Sequence, residues 1–189
     1  MSTLSARGRK VPVATTQEEK SSAITAPITV SESSALILAL VRIFTGYLWF
    51  QQLYWKLPPS FGGLHTFVVR EAQYTFIPGY SYIIQHVFLP NFGLLGAGTW
   101  AAELIVALCL LFGVFSRFGG LLATILALQL YVGLSASEWY WTYGTIVLLG
   151  LVFLGFPAGR RLGVDQWLAP RLQAAASNNR IARILSWFV

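Results

Sequence analysis

Apolar residues run along this chain in four long blocks, separated by short polar breaks. Lipid offers no partner to an unpaired backbone group, so a block of about 20 apolar residues crosses a bilayer as a helix. Spanning helices are predicted from Ala35 to about Trp55, from Phe92 to Phe115, from about Phe118 to Leu134 and from Trp139 to Phe156. Pro58 and Pro59 stop the first, because proline lacks a backbone donor and extends the residue before it. Ser116-Arg117 makes a tight turn before the third, and Pro157-Ala158-Gly159 ends the fourth. The expected fold class is all-α: a polytopic membrane four-helix bundle over 34–168, with a capping outer loop over 57–91 and an interfacial amphipathic C-terminal helix within 169–189.

Three segments lie outside the blocks. Ser60 to Pro90 is rich in aromatics and too apolar for a solvated loop. Short helices are expected in it at Phe61–Gln73 and Tyr80–Phe88, lying on the membrane or capping the bundle. Near the C-terminus, Ile181, Ile184, Leu185 and Phe188 recur at helical spacing, with Arg180 and Arg183 off that stripe. Such a helix lies on anionic lipid or docks on a partner subunit. The tail Met1 to Ser33 is polar, with a basic cluster at Arg7, Arg9 and Lys10 and a short apolar grip from Val11 to Ala14. It is expected to lie as an extended strap across neighbouring subunits.

Composition agrees with lipid as the solvent. Hydrophobic residues make up 56% of the chain and charged residues 11%, against about 25% charged in a soluble domain. The net charge of +6 comes from residues flanking apolar blocks, which argues against nucleic acid as a partner. One side of the predicted bundle carries the basic tail, Arg117, Arg160, Arg161, Arg171, Arg180 and Arg183, and the other only Lys56 and Arg70. By the positive-inside rule both termini are expected in the cytoplasm. Trp55, Trp139, Tyr140 and Trp141 form an aromatic belt at the opposite interface. Met1 to Ser33 has no apolar core of a secretory signal, and the single Cys109 allows no disulfide within the chain.

Glu103 falls at the middle of the second block, where an acid is costly and faces the bundle interior. At about 1.5 Å per residue, Tyr47, Gln129 and Tyr143 reach the same level on the other helices. Arg42 lies roughly 10 Å from its end of the first helix by the same rise, and its side chain is expected to climb toward Glu103. Arg42, Gly46, Trp49 and Lys56 share one face of the first helix; Gly96, Trp100, Glu103, Leu110 and Arg117 share one face of the second. Two readings of this polar seam stand side by side: a quinone headgroup site or proton-linked acid, and a structural ion pair. The only histidines, His65 and His86, lie in the outer loop, so no haem with axial ligands from the spans is expected. His65, His86 and Glu71 show no ligand spacing, so no metal site is expected, and no phosphate-binding glycine loop or serine triad is present.

The first helix carries Arg42-x-x-x-Gly46 with Lys56 at its outer end. The second carries Glu103 and then Gly113-Val-Phe-Ser-Arg117; the fourth opens with Glu138-Trp139 and closes on Ala158-Gly159-Arg160-Arg161-Leu162-Gly163-Val164-Asp165. In order and topology this set, over about Ser34 to Leu168, resembles the DoxX/DoxD-like family of four-helix membrane proteins. The resemblance implies a small multi-pass subunit of a bacterial or archaeal cytoplasmic membrane, in some members that of a thiosulfate:quinone oxidoreductase. The positions it carries over are Arg42, Glu103, Arg117 and the turn from Gly159 to Asp165. The expected function is an accessory subunit of a respiratory or photosynthetic electron-transfer complex, with other membrane subunits and lipids as partners. Lipid, quinone or pigment would pack on its aromatic surface, and no cofactor is expected to be covalently bound. The alternative is the quinone-reactive subunit of a thiosulfate-oxidising enzyme.

Overall fold

A computed structural model describes residues 31–189. The strap expected at Met1 to Ser33 falls, but for its last three residues, outside the described residues. Helix α1 (Glu32–Leu53) ends in a 3-10 turn at Tyr54–Lys56. Helix α2 (Gly62–Tyr74) follows. Helix α3 (Pro78–Ile83) runs on through a π turn at Ile84–Phe88 and a 3-10 turn at Leu89–Asn91 into α4 (Phe92–Phe112). Then come α5 (Ser116–Gly133), α6 (Tyr140–Gly155), α7 (Asp165–Ala175) and α8 (Arg180–Trp187). The described residues form helices and connections only, so the fold is all-α.

Three of these segments, Glu32–Lys56, Pro78–Phe112 and Ser116–Gly133, are long and apolar enough to cross a membrane. The fourth predicted span is shorter than expected: α6 is apolar but has 16 residues, about 24 Å of helix. Two boundaries moved for identifiable reasons. The second block ends at Phe112 and not Phe115, because Gly113 caps α4 in the left-handed conformation, at φ 61°. The third begins at Ser116 and not Phe118, because the Asp165 carboxylate, far along the chain, accepts the amides of Phe115 (2.7 Å) and Ser116 (2.9 Å). That is the work of an N-cap done from another segment.

Helix α1 packs along α4, α4 along α5, and α5 along α6. One buried cluster joins them: Trp49 of α1, Val106, Ala107 and Leu110 of α4, Ala123 and Ala127 of α5, and Phe153 of α6. Gly46 makes the first contact possible. A methyl there would lie 2.5 Å from the Leu111 nitrogen and 2.9 Å from the Leu110 carbonyl carbon, so only a bare α-carbon fits. The outward faces are apolar as well, with Ile37, Leu40 and Phe44 on α1 and Leu148 and Leu151 on α6 all exposed. A helix apolar on every side is suited to lipid. Helix α2 and the lead-in to α4 form a second cluster, from Phe61, Leu64, Val68 and Ile84, which covers Trp100 of α4.

The C-terminal stretch holds two helices where one amphipathic segment was expected over 169–189. Helix α7 starts inside the predicted turn, at Asp165, and contains Pro170. Asn179 then caps α8 by accepting the Ile181 amide at 2.8 Å. In α8 Ala182 is buried, while Ile181, Ile184 and Trp187 are exposed.

Candidate functional site

At the end of α1 the helix tightens into its 3-10 turn, and this carries Lys56 inward over α4. The Lys56 Nζ donates to Glu103 Oε1 at 2.5 Å, with the two side chains 6% and 4% exposed. A buried ion pair is a poor source of stability, since desolvating two charges costs about as much as their attraction returns. Here the pair is also incomplete. Glu103 Oε2 is buried with no hydrogen-bond partner, as is the indole nitrogen of Trp100 one turn away.

The pair borders a cavity of about 130 Å³. Its walls come from Leu48, Trp49, Gln52 and Trp55 of α1 and its turn, Phe67 of α2, Leu130 of α5, and Tyr143 and Ile146 of α6. The lining is mostly apolar and aromatic, with Gln52, Lys56, Glu103 and Tyr143 as its polar groups, the composition of a small-molecule site.

Lys56 and Glu103 also line a second void, of about 30 Å³, together with Thr99, Gln129 and a second buried acid, Glu71. Glu71 is 2% exposed. The Tyr80 hydroxyl donates to its Oε2 at 2.6 Å, and Gln129 Nε2 donates to the same oxygen. Gln129 also donates to the Tyr80 oxygen at 2.7 Å. Gly133 leaves the room for this carboxylate: a methyl there would lie 2.7 Å from Glu71 Cγ. Burial raises the Glu71 carboxyl to about 7, against the opposing pull of the Tyr80 and Gln129 hydrogen bonds and of the Lys56 ammonium.

A third polar cluster closes the other end of the helices. Arg42, fully buried, donates to Leu110 O at 2.7 Å and to Leu162 O at 2.8 Å. Backbone bonds join Val164 N to Phe112 O (3.0 Å) and Asp165 N to Gly113 O (2.8 Å). The Ser116 hydroxyl accepts the Gly159 amide at 3.0 Å. Arg117 spends its guanidinium on the carbonyls of Leu154, Gly155 and Trp187, and Arg160 donates to Val189 O at 3.1 Å. Every one of these contacts ties one segment of backbone to another, so this end is a structural latch.

The predicted seam therefore divides. Glu103, Gln129 and Tyr143 do line the two voids. Arg42 does not climb to Glu103; it is spent on the carbonyl of Leu110, seven residues further along α4, roughly 10 Å away. Tyr47 does not join either, being 46% exposed with its oxygen accepting from Gln51 at 2.9 Å. It follows Gly46, and one residue turns a helix by about 100°, off the face that Arg42, Gly46 and Trp49 bury. Lys56, placed on the same face of the first helix as Arg42, Gly46 and Trp49 but not paired with the acid, proved to be the partner of Glu103. Glu71, weighed only as a weak metal ligand beside His65 and His86, proved to be the second buried acid. His65 meets Phe92 edge-on and His86 stacks on Tyr82, while the side chains that bond Glu71 are Tyr80 and Gln129. The signal for Glu71 was available: an acid three residues after Val68 in a loop otherwise too apolar for water.

Comparison with known proteins yields no match to any family model, to any curated protein or to any solved structure.

Proposed function

We propose that this chain is a multi-pass membrane subunit, its four long helices forming one transmembrane bundle, that holds a quinone-type headgroup in the cavity beside Lys56 and Glu103. The observation that carries this reading is the cavity itself. Its volume, about 130 Å³, is close to that of dry protein cavities of about 150 Å³ that take up a benzene ring. Trp49, Trp55 and Phe67 offer ring faces and edges, while Lys56 and the Tyr143 hydroxyl offer donors to a carbonyl oxygen. The side chains at this site move protons, not electrons. Any electron reaching a quinone there comes from a partner, which is the physical basis for reading the chain as an accessory subunit of an electron-transfer complex. The likeness to DoxX/DoxD-like proteins in the motifs around Arg42, Glu103 and Gly159–Asp165 supports the same reading, as does the excess of arginine on the side assigned to the cytoplasm.

Photoaffinity labelling of the purified chain with an azido-quinone tests it. Adducts are expected on peptides containing Trp49–Lys56 or Tyr143, and unmodified quinone should compete them away. Labelling spread over the outward faces of α1 and α6 that excess quinone fails to displace overturns the pocket. Membrane topology has its own test. Cysteines introduced near residues 10 and 175 should be shielded from an impermeant thiol reagent in intact cells, and ready labelling at either reverses the orientation.

A further inference from the structure

We propose that Glu71, Lys56 and Glu103 form one proton-exchange site, in which water in the smaller void carries a proton between the two carboxyl groups. The proposal rests on the quinone-pocket reading for its purpose but not for its existence.

The argument begins with charge. Two carboxylates and one ammonium line the same small space. All three side chains are buried, at 2%, 3% and 5% residue exposure for Glu71, Glu103 and Lys56. With both acids ionised the trio carries a net negative charge out of water, which is costly. With one acid protonated it is neutral. Among the described residues only one ammonium faces the pair, and Arg70 of α2 is engaged elsewhere, turning to Glu138 at 3.4 Å. Tyr80 of α3 and Gln129 of α5 contribute hydrogen bonds to Glu71, and Tyr143 of α6 faces the larger cavity. None of these adds positive charge. Burial accordingly holds the Glu71 carboxyl near neutrality.

The second observation is the orphaned oxygen. Glu103 Oε2 is buried without a partner, and Glu103 lines the void that Glu71 also lines. A space of about 30 Å³ holds one or two waters when polar groups surround it. Here the Lys56 ammonium, the Glu103 oxygen and the Glu71 carboxyl supply those groups. The transfer balances simply. The Glu71 O–H proton passes to water, water gives a proton to Glu103 Oε2, and Glu71 is left as the carboxylate with Lys56 as its counter-charge. Both arrangements have the same net charge, so the proton belongs to the pair and not to either acid. Because Glu103 and Lys56 also border the larger cavity, a proton on Glu103 stands at the wall of the proposed headgroup pocket.

Infrared difference spectroscopy of the full chain, purified in detergent and free of quinone, tests this as the buffer is taken from acid to alkaline pH. A protonated-carboxyl band that titrates near neutrality and shifts in heavy water is expected. Glu71→Gln should remove it. Glu103→Gln should keep it but lower its midpoint by about one unit or more, since Lys56 then serves Glu71 alone. Absence of the band in the unaltered protein overturns the proposal, and so does a midpoint that Glu103→Gln leaves unmoved. Should Glu71→Gln fail to fold, Glu71→Asp serves, because it retains the acid while changing the band's frequency. No quinone is present in the measurement, so a failed azido-quinone experiment and a failed titration remain separate results.

Discussion

Truncating Lys56 to an uncharged chain of similar length, in Lys56→Met, leaves Glu103 with no protein hydrogen-bond donor for either oxygen, because Lys56 is the sole partner of Oε1 among the described contacts and Oε2 has none. At a separation of 2.5 Å and side-chain exposures of 6% and 4%, this pair is withdrawn from bulk water. Removing one member of such a pair costs about 3–5 kcal/mol, whereas exchanging both for apolar groups of similar size is near neutral or stabilising. Glu103→Leu alone should cost less than Lys56→Met, since Lys56 follows the last turn of α1 and its long stem can carry the ammonium toward water. The double variant Lys56→Met/Glu103→Leu should therefore return to within about 1 kcal/mol of the original. Unfolding of the four proteins in mixed micelles closes the cycle, and a coupling of about 2 kcal/mol or more between the positions is expected. A Lys56→Met cost under about 1 kcal/mol, or a double variant whose loss is the sum of the single losses, refutes the reasoning. The folded double variant also separates stability from chemistry. If azido-quinone labelling at Trp49–Lys56 is lost while stability is retained, the charges serve the cavity and not the fold.

Other outcomes follow from neighbouring contacts. Folded Glu71 titrates near 7 against 4.5 for an ordinary glutamate. Between those values the folded chain binds more protons than the unfolded one, so stability is lost as pH rises through that window. Glu71→Gln should flatten this dependence, matching the original protein in acid and exceeding it by at most about 3 kcal/mol at about pH 8, read from unfolding midpoints across pH. Gly133→Ala places a methyl 2.7 Å from Glu71 Cγ, and should cost about 1–3 kcal/mol by overpacking in the same unfolding measurement. Asp165→Asn weakens two charge-assisted bonds, to the amides of Phe115 and Ser116. It should cost about 1.5–3 kcal/mol and speed hydrogen exchange at those two amides first.

Most of the helical framework was legible from the apolar blocks, because a helix in lipid must be apolar over a fixed length and the prolines and glycines that interrupt it stand out. The boundaries set by distant contacts were not. Ser116 begins α5 through a carboxylate 49 residues later, and no local pattern contains that information. For the site, Glu103, Gln129 and Tyr143 could be placed by counting helical rise. Lys56 was placed on the right face, but its pairing with Glu103 was not foreseen, since its inward reach depends on the 3-10 geometry that closes α1. Glu71 was hidden for a similar reason: burying it takes a fold-back of α2 onto α5, with Gly133 as the vacancy that receives it. Arg42 was misdirected because its length was weighed and its alternatives were not. Two unpaired carbonyls, at Leu110 and Leu162, lie closer to hand than the acid.

The latch also imposes an order on biosynthesis. Asp165 grips amides 50 and 49 residues behind it, and Leu162 supplies a carbonyl to Arg42, 120 residues behind. A ribosome delivers the chain from its N-terminal end, so α1, α4, α5 and α6 have all been synthesised before the piece that fastens them exists. A nascent chain halted short of Leu162 has its apolar helices but lacks the fastenings made by Leu162 and Asp165. Its Arg42 has only the Leu110 carbonyl among its native partners. The complete chain adds the Leu162 carbonyl, so the two terminal nitrogens of the guanidinium are both engaged only once the segment past α6 has been made.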